Sequence, residues 1–88
     1  MSALAPTITV KVLCFAQLRY RLGAEAFPLT LPSGSTSRGL LDDLMKRNPS
    51  IAPLLRVSRL ALNCEYISSD AVLRDGDDVA VIPPVSGG

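Results

Sequence analysis

Histidine and tryptophan are absent from this chain of 88 residues, and only two cysteines are present. Without histidine the chain can form neither a Ser-His-Asp triad nor a Cys-His pair, and it offers no imidazole ligand. Cys14 and Cys64 are too few for a four-cysteine metal site and too far apart for a CxxC redox motif. We predict that both are small buried hydrophobic residues in a reducing compartment, although the sequence leaves a disulfide between them open.

The chain also lacks an excess of either charge and any long apolar run. Nine basic and eight acidic residues give a net charge of +1, with no basic block of the kind that binds nucleic-acid phosphates. The start, Met1 to Pro6, is too short and too uncharged for a signal peptide, and no apolar stretch is long enough to span a membrane. We therefore expect one small, soluble, cytoplasmic domain that binds neither nucleic acid nor membrane, and no metal site.

The spacing of apolar residues predicts both helix and strand. A stripe of leucines that begins after Thr36 (or Ser35), the expected N-cap, predicts one main helix that stops before Pro49. Alternating patterns rich in β-branched residues predict strands at 7–15, 25–31, 59–64 and 78–82, with a short extended piece in 66–73. Residues 16–22 suit a short helical turn closed by Gly23, and residues 50–58 are expected to be a loop or a short turn.

This succession of elements, ββαββ, indicates an α+β protein of the β-grasp (ubiquitin-like) type, with one main helix packed across a mixed sheet. The first and last strands are expected to pair in parallel in the middle of the sheet. Pro28 cannot donate to a strand ladder, so the second strand is expected at an edge. We divide the chain into a frayed arm at 1–6, a β-grasp domain at 7–82 and an extended, flexible Gly-Gly tail at 83–88.

The tail is the segment that suggests chemistry. Pro83 and Pro84 end strand pairing and hold the backbone extended, while Gly87 and Gly88 have no β-carbon to block a narrow channel. The terminal carboxylate acylates poorly until another enzyme converts it to a mixed anhydride with adenylate, after which sulfur or an amine can attack the carbonyl. A Gly-Gly end alone is often a frayed terminus. Directly after a diproline stalk and a strand, it favours a functional carboxyl group.

Three stretches resemble the sulfur-carrier (small) subunits of molybdopterin synthase, which are ubiquitin-like sulfur carriers. They are VLCFAQLRYRLG at Val12–Gly23, LALN at Leu60–Asn63 and LRDGDDVAVIPPVSGG at Leu73–Gly88. The last stretch is the most specific, and Tyr20 departs from the acidic residue that is common in the first.

The resemblance implies a defined sulfur-transfer function for the tail. It implies that an activating enzyme uses ATP to adenylate Gly88, which then becomes a thiocarboxylate. The tail would enter the active site of the large catalytic subunit and donate sulfur to cyclic pyranopterin monophosphate, giving molybdopterin for the molybdenum cofactor. The chain would bind no cofactor stably. It would be the non-catalytic, sulfur-donating subunit of a transferase complex.

Binding to the large subunit is expected to need more than the tail. Ordering Pro83, Pro84, Val85, Ser86 and the two glycines costs roughly 1–2 kcal/mol of backbone entropy per residue, and burying Val85 returns only about 1.5–2 kcal/mol. The globular surface must therefore contribute. Leu13 and Phe15, on the second face of the first strand, are the candidate docking residues, although residues of this kind also form the core in small domains.

Other residues and functions are left open by the sequence. Arg19 and Arg21 are either solvated surface or ligands for a phosphate or a partner's acid. Asp75, Asp77 and Asp78 fit a turn better than a cation loop, and Ser86 is a spacer because nothing nearby could activate it. The alternative functions are a sulfur carrier of another thiolation pathway (thiamine), a ubiquitin-like protein modifier, and a plain binding domain with an inert tail.

Overall fold

The computed structural model describes residues 6–68 and 70–84. The predictions for the arm at residues 1–5 and for Val85, Ser86, Gly87 and Gly88 lie outside the described residues. The helices and strands of the structure, in chain order, are β1 Thr7–Cys14, α1 Gln17–Leu22, β2 Ala26–Pro32, α2 Ser37–Arg47, a 3₁₀ turn Pro49–Ile51, α3 Ala52–Arg56, β3 Arg59–Leu62, β4 Glu65–Ile67 and β5 Asp78–Ile82. Even α2, with 11 residues, is too short to cross a membrane, and no helix in the described part is long and apolar enough to do so.

The five strands form one mixed sheet in the order β2-β1-β5-β3-β4. β1 and β5 pair in parallel near its middle, with Val12 opposite Val79. β2 pairs with β1 in the antiparallel direction and lies at an edge of the sheet. Pro28 has no backbone N–H, but at this edge it removes no hydrogen bond between two inner strands. The β-grasp architecture, the parallel central pair and the edge position of β2 are therefore confirmed.

The core fills one face of the sheet, between the strands and the helices. β1 alternates buried and exposed residues along its length, which is the two-residue period expected of a strand with one covered face. The buried side chains of α1, α2 and α3 pack onto this face as one cluster. Its fully enclosed members are Val10, Val12, Leu18, Leu40, Leu44, Leu55, Val79 and Val81. We call the opposite surface of the sheet the open face.

The N-terminus of α2 is held by side chains from two segments. The Thr36 hydroxyl accepts a hydrogen bond from the backbone N–H of Gly39 at 3.2 Å, as an N-cap does. The Asp70 carboxylate accepts from the backbone N–H of Arg38 at 2.8 Å and from the hydroxyl of the buried Ser37 at 3.0 Å. The sequence predicted the Thr36 cap, but the Asp70 contact comes from 32 residues away along the chain and is visible only in the tertiary structure.

Residues 50–58 are more regular than the loop or short turn that the sequence predicted. They begin within the 3₁₀ turn and continue into α3, and Leu55 is completely buried. Pro49 and Pro53 each lie in the first turn of a helical piece. Proline is tolerated there, because the first-turn N–H groups have no intrahelical acceptor.

β3 is shorter than predicted, and the prediction that Cys64 is buried is wrong. The strand ends at Leu62, and Asn63 and Cys64 form a two-residue hairpin turn with φ angles of 48° and 74°. Cys64 is exposed, whereas Cys14 lies in the core, where burial raises the pKa of its thiol. Both cysteines are free. They occupy opposite ends of the sheet, so no disulfide joins them.

A hydrogen-bond network fixes the start of β5. The backbone N–H of Thr9 donates to Asp75 at 2.8 Å, and the N–H of Gly76 donates back to the Thr9 carbonyl at 2.9 Å. The Asn63 side chain donates to Asp77 at 3.0 Å and accepts from the N–H of Asp78 at 2.9 Å. Two stretches that carried the sequence resemblance, LALN and LRDGD, thus meet at one end of the sheet. The predicted turn is confirmed, and the carboxylates of Asp75 and Asp77 accept hydrogen bonds from backbone and amide donors.

Candidate functional site

The C-terminal tail leaves the sheet from its middle. β5 ends at Ile82, beside the end of its parallel neighbour β1 and the beginning of antiparallel β3. We call this edge of the sheet the tail-exit end. Pro83 is buried and Pro84 is exposed, and neither can donate to a ladder, so strand pairing stops here. The remaining predicted tail residues lie outside the described residues, and their roles stay predictions.

A row of apolar residues crosses the open face next to the tail-exit end. In the strand register, Leu13 lies opposite Ala80, Ala80 opposite Ala61, and Ala61 opposite Tyr66. The two alanines are only 7% and 6% exposed although they lie outside the core cluster. Larger neighbours on the same face therefore cover them. Leu13 is half-buried and Tyr66 is exposed at the rim of the row.

A second row lies closer to the tail. Ile82 is opposite Arg59, and Phe15, two positions beyond Leu13, continues the β1 register toward Ile82. Phe15 is 42% exposed. The guanidinium carbon of Arg59 lies 4.1 Å from the ring centroid of Tyr66, a cation–π contact. We call the apolar residues of both rows the docking patch. Its members are Leu13, Phe15, Ala61, Tyr66, Ala80 and Ile82.

The docking patch extends the sequence prediction for Leu13 and Phe15. Neither residue belongs to the core cluster, so the structure places both on the open face beside the root of the tail. Sequence reasoning missed the other four members. The signal for two of them is in DVAVI, which is apolar at every position after its aspartate, a pattern typical of a strand that is covered on both faces.

The described side chains of this site are suited to binding a protein surface. The charged residue in register with the tail root is Arg59, whose guanidinium has hydrogen-bond donors and no acceptor atom. Among the residues described, no group of three or more His, Cys, Asp or Glu side chains is arranged to hold a metal ion. A flat apolar patch beside a strand that runs into a tail is suited to presenting that tail to another protein.

Sequence comparison identifies relatives over nearly the whole chain. Residues 12–88 match the ThiS family. The chain is 40% identical over 82 residues to the molybdopterin synthase sulfur carrier subunit of Arabidopsis thaliana, covering 93% of this chain and 85% of the relative. It is 42% identical over 81 residues to the subunit of the same name from Dictyostelium discoideum, covering 89% of this chain and 94% of the relative.

Comparison with solved structures agrees with the sequence relationship. The fold matches a chain in the complex of subunits 1 and 2 of the molybdopterin-converting factor from Helicobacter pylori, with a TM-score of 0.67 and 26% identity, covering 92% of this chain and all of the other. The sheet order, the position of the tail root and these similarities lead to one assignment: the chain belongs to the ThiS family, among its molybdopterin synthase sulfur carrier subunits.

Proposed function

We propose that Gly88 carries sulfur as a C-terminal thiocarboxylate and delivers it within a molybdopterin synthase. An activating enzyme would join the Gly88 carboxylate to the adenylate of ATP, releasing pyrophosphate, and a sulfur nucleophile would then displace AMP. The tail would insert into the large subunit and transfer its sulfur to cyclic pyranopterin monophosphate. The observation that carries the proposal is the docking patch at the tail-exit end, where a partner can hold the domain while it receives the tail.

The chemistry of the tail supports this function. Gly87 and Gly88 let a channel close around bare backbone, which brings donors of a partner enzyme near the carbonyl oxygen. Pro83 is buried against the domain and Pro84 is exposed. The root of the tail is therefore anchored to the domain at Pro83. The described residues at the tail root supply no base. We infer that activation and transfer rely on groups of the two partner enzymes, and that this chain contributes no catalytic side chain.

Binding energy for the large subunit is expected to come mainly from the docking patch. The ordering cost of the tail, roughly 1–2 kcal/mol per residue, exceeds what burying Val85 returns. A few buried anchor residues of an interface each contribute about 2 kcal/mol or more, and the large aromatic side chain of Phe15, beside the tail root, is our candidate for such an anchor. The subunit 1 and 2 complex of the Helicobacter pylori factor supports a large-subunit partner of this kind, which we expect to act with this chain in the cytoplasm.

Intact-mass measurement tests the chemical step. Incubation with ATP, the activating enzyme and a sulfur donor should add about 16 Da to the chain, the difference between sulfur and oxygen. Deletion of Gly88, or one residue added after it, should abolish both the mass shift and molybdopterin formation while the circular dichroism spectrum stays unchanged. A truncated chain that still supported molybdopterin formation would contradict the proposal.

The same material separates the alternative functions. Capture by a thiazole synthase in preference to the molybdopterin synthase large subunit would indicate a thiamine-type carrier. Isopeptide-linked adducts that contain Gly88 would indicate a protein modifier. Either result would overturn the assignment of the sulfur to molybdopterin.

A further inference from the structure

Four arginines gather at the tail-exit end. The topology explains why: α1 follows directly on the end of β1, and α3 leads directly into the start of β3, so both helices lie at this end of the sheet. Arg19 and Arg21 belong to α1, Arg56 ends α3, and Arg59 begins β3. All four are exposed. We call them the arginine collar.

The collar has little internal compensation. Within residues 6–68 and 70–84, the only carboxylate within 4.0 Å of a collar guanidinium is that of Glu25, at 4.0 Å from Arg19. Its side chain is 80% exposed and that of Arg19 is 44% exposed, so water and salt screen this pair strongly. The positive charge at the tail-exit end is therefore available to a partner.

Part of the acidic charge lies at the opposite end of the sheet, whereas Glu25 lies beside Arg19, and Asp42 and Asp70 line a groove that Arg56 and Arg59 also line. The turn before β5 contains Asp75 and Asp77, and Asp78 begins that strand. Two of these carboxylates are engaged by Thr9 and Asn63 beside the start of β1 and the β3–β4 hairpin. The chain has a net charge of only +1, but the carboxylates of this turn form an acidic pole away from the tail, and the four arginines of the collar lie where the tail leaves. Such an asymmetry orients a protein during diffusional encounter even when its net charge is small.

Arg59 connects the collar to the docking patch. Its guanidinium is held over the Tyr66 ring at 4.1 Å, and its backbone is in register with Ile82. A stacked guanidinium has lost part of its rotational freedom before binding, and its planar fork matches a carboxylate in two parallel hydrogen bonds. The apolar patch beside it excludes water from one side, which strengthens a charge pair formed there.

We propose that the arginine collar docks onto a ring of carboxylates around the mouth of the tail-binding channel in the partner protein. This inference rests on the proposed function and specifies the chemistry of the surface that receives the tail. An acidic protein rim is favoured over a nucleic acid, because the collar is continuous with an apolar patch and the acidic pole would repel a long polyanion. The collar orients the domain so that the tail reaches the channel first.

Association kinetics with the large subunit of the same organism test the proposal. The wild-type chain should associate several-fold more slowly at about 300 mM than at about 20 mM ionic strength, because the Debye length shortens. The double variant Arg56→Glu/Arg59→Glu should lower the association rate at low salt by about tenfold or more and flatten its salt dependence. The matched control is the double variant Lys11→Glu/Arg74→Glu, which makes the same charge change at the other end of the sheet, beside Asp77 and Asp78, and should retain the steep salt dependence.

The outcomes distinguish this inference from the function on which it rests. If wild-type binding and sulfur transfer are normal but the rate does not depend on salt or on the collar, the inference is wrong and the function stands. If the wild-type chain neither binds the large subunit nor gains sulfur, both are wrong. Binding of the wild-type chain to single-stranded RNA that is lost in the collar variant would assign the arginines to a nucleic acid and overturn the proposal.

Discussion

Phe15 is a large aromatic side chain that the fold leaves 42% exposed beside the root of the tail. Phe15→Asp removes an apolar contact from the docking patch and adds a charge beside the root of the tail. We expect the dissociation constant for the large subunit to rise by about thirtyfold or more, which corresponds to about 2 kcal/mol. The melting temperature should change by only a few degrees, because the residue lies outside the core cluster. Isothermal titration and thermal melting measure the two quantities.

Val72→Asp provides the control for this substitution. Val72 is 63% exposed and lies beside Thr36 at the start of α2, far from the tail-exit end. It should leave large-subunit binding unchanged. A large fall in the melting temperature of Phe15→Asp would instead show that Phe15 contributes to the core.

Cys64 occupies a backbone conformation that suits glycine. With Asn63 it forms a two-residue turn in which both φ angles are positive, the arrangement for which Asn-Gly is the preferred dipeptide. Cys64→Gly relieves the contact between the β-carbon and the backbone, but it also makes the unfolded chain more flexible. Because the first effect is larger, we expect a net gain of about 0.5–1 kcal/mol in the free energy of unfolding.

Urea denaturation would measure this gain. Cys64→Ser is the matched control, because it removes the thiol and keeps the β-carbon, and it should leave the midpoint unchanged. Equal stabilisation by both variants would attribute the effect to the thiol and contradict the backbone explanation.

At the scale of elements, the N-terminus of α2 predicts a pH dependence. The backbone N–H of Arg38 holds the pKa of Asp70 below its ordinary value of 3.8, and the Ser37 hydroxyl and the Arg38 charge act in the same direction. The folded state therefore favours the ionised carboxylate. The resulting stabilisation is fully present above the unfolded pKa and is lost as the pH falls through the lower pKa of the folded state.

Asp70→Asn tests this dependence. The variant should be less stable than the wild type at neutral pH, and the difference should shrink as the pH is lowered below about 4. Urea midpoints measured at several pH values give the comparison. A constant difference across that range would mean that Asp70 acts through its hydrogen-bond geometry alone, without its charge.

At the scale of the whole molecule, a core this small makes each enclosed leucine important. Leu55 of α3 is 0% exposed, and Leu55→Ala is expected to cost about 2–5 kcal/mol. A domain of this length has only roughly 4–13 kcal/mol of total stability. We expect the melting temperature to fall by at least about 10 °C. Leu54→Ala, at a half-buried neighbour, is the control and should cost clearly less.

Charge is also organised at this scale, because strand direction separates the acidic turn before β5 from the arginine collar. No local pattern in the sequence indicates this, since the collar residues come from positions up to 40 apart: Arg19 and Arg59. Of the four, the sequence alone singles out Arg19 and Arg21, as either solvated surface or ligands for a phosphate or a partner's acid. In the fold they lie at the tail-exit end together with Arg56 and Arg59. All four arginines can therefore face the same partner protein.

The sequence by itself determined the architecture, because period-two and helical spacings of apolar residues fix which face of each element is buried, and the residues at Thr36 and Pro28 mark a helix start and an edge strand. It also determined the candidate tail, since stiffness after proline and the bare backbone of glycine are local properties. The tertiary structure alone decided that Cys64 turns outward, that residues 52–56 are helical, and that Phe15 is exposed. The exposure of Phe15 and the burial of Leu55 in α3 depend on which distant segments pack against them, and the position of Cys64 depends on where β3 and β4 begin to pair. None of these contacts leaves a periodic signal in the sequence.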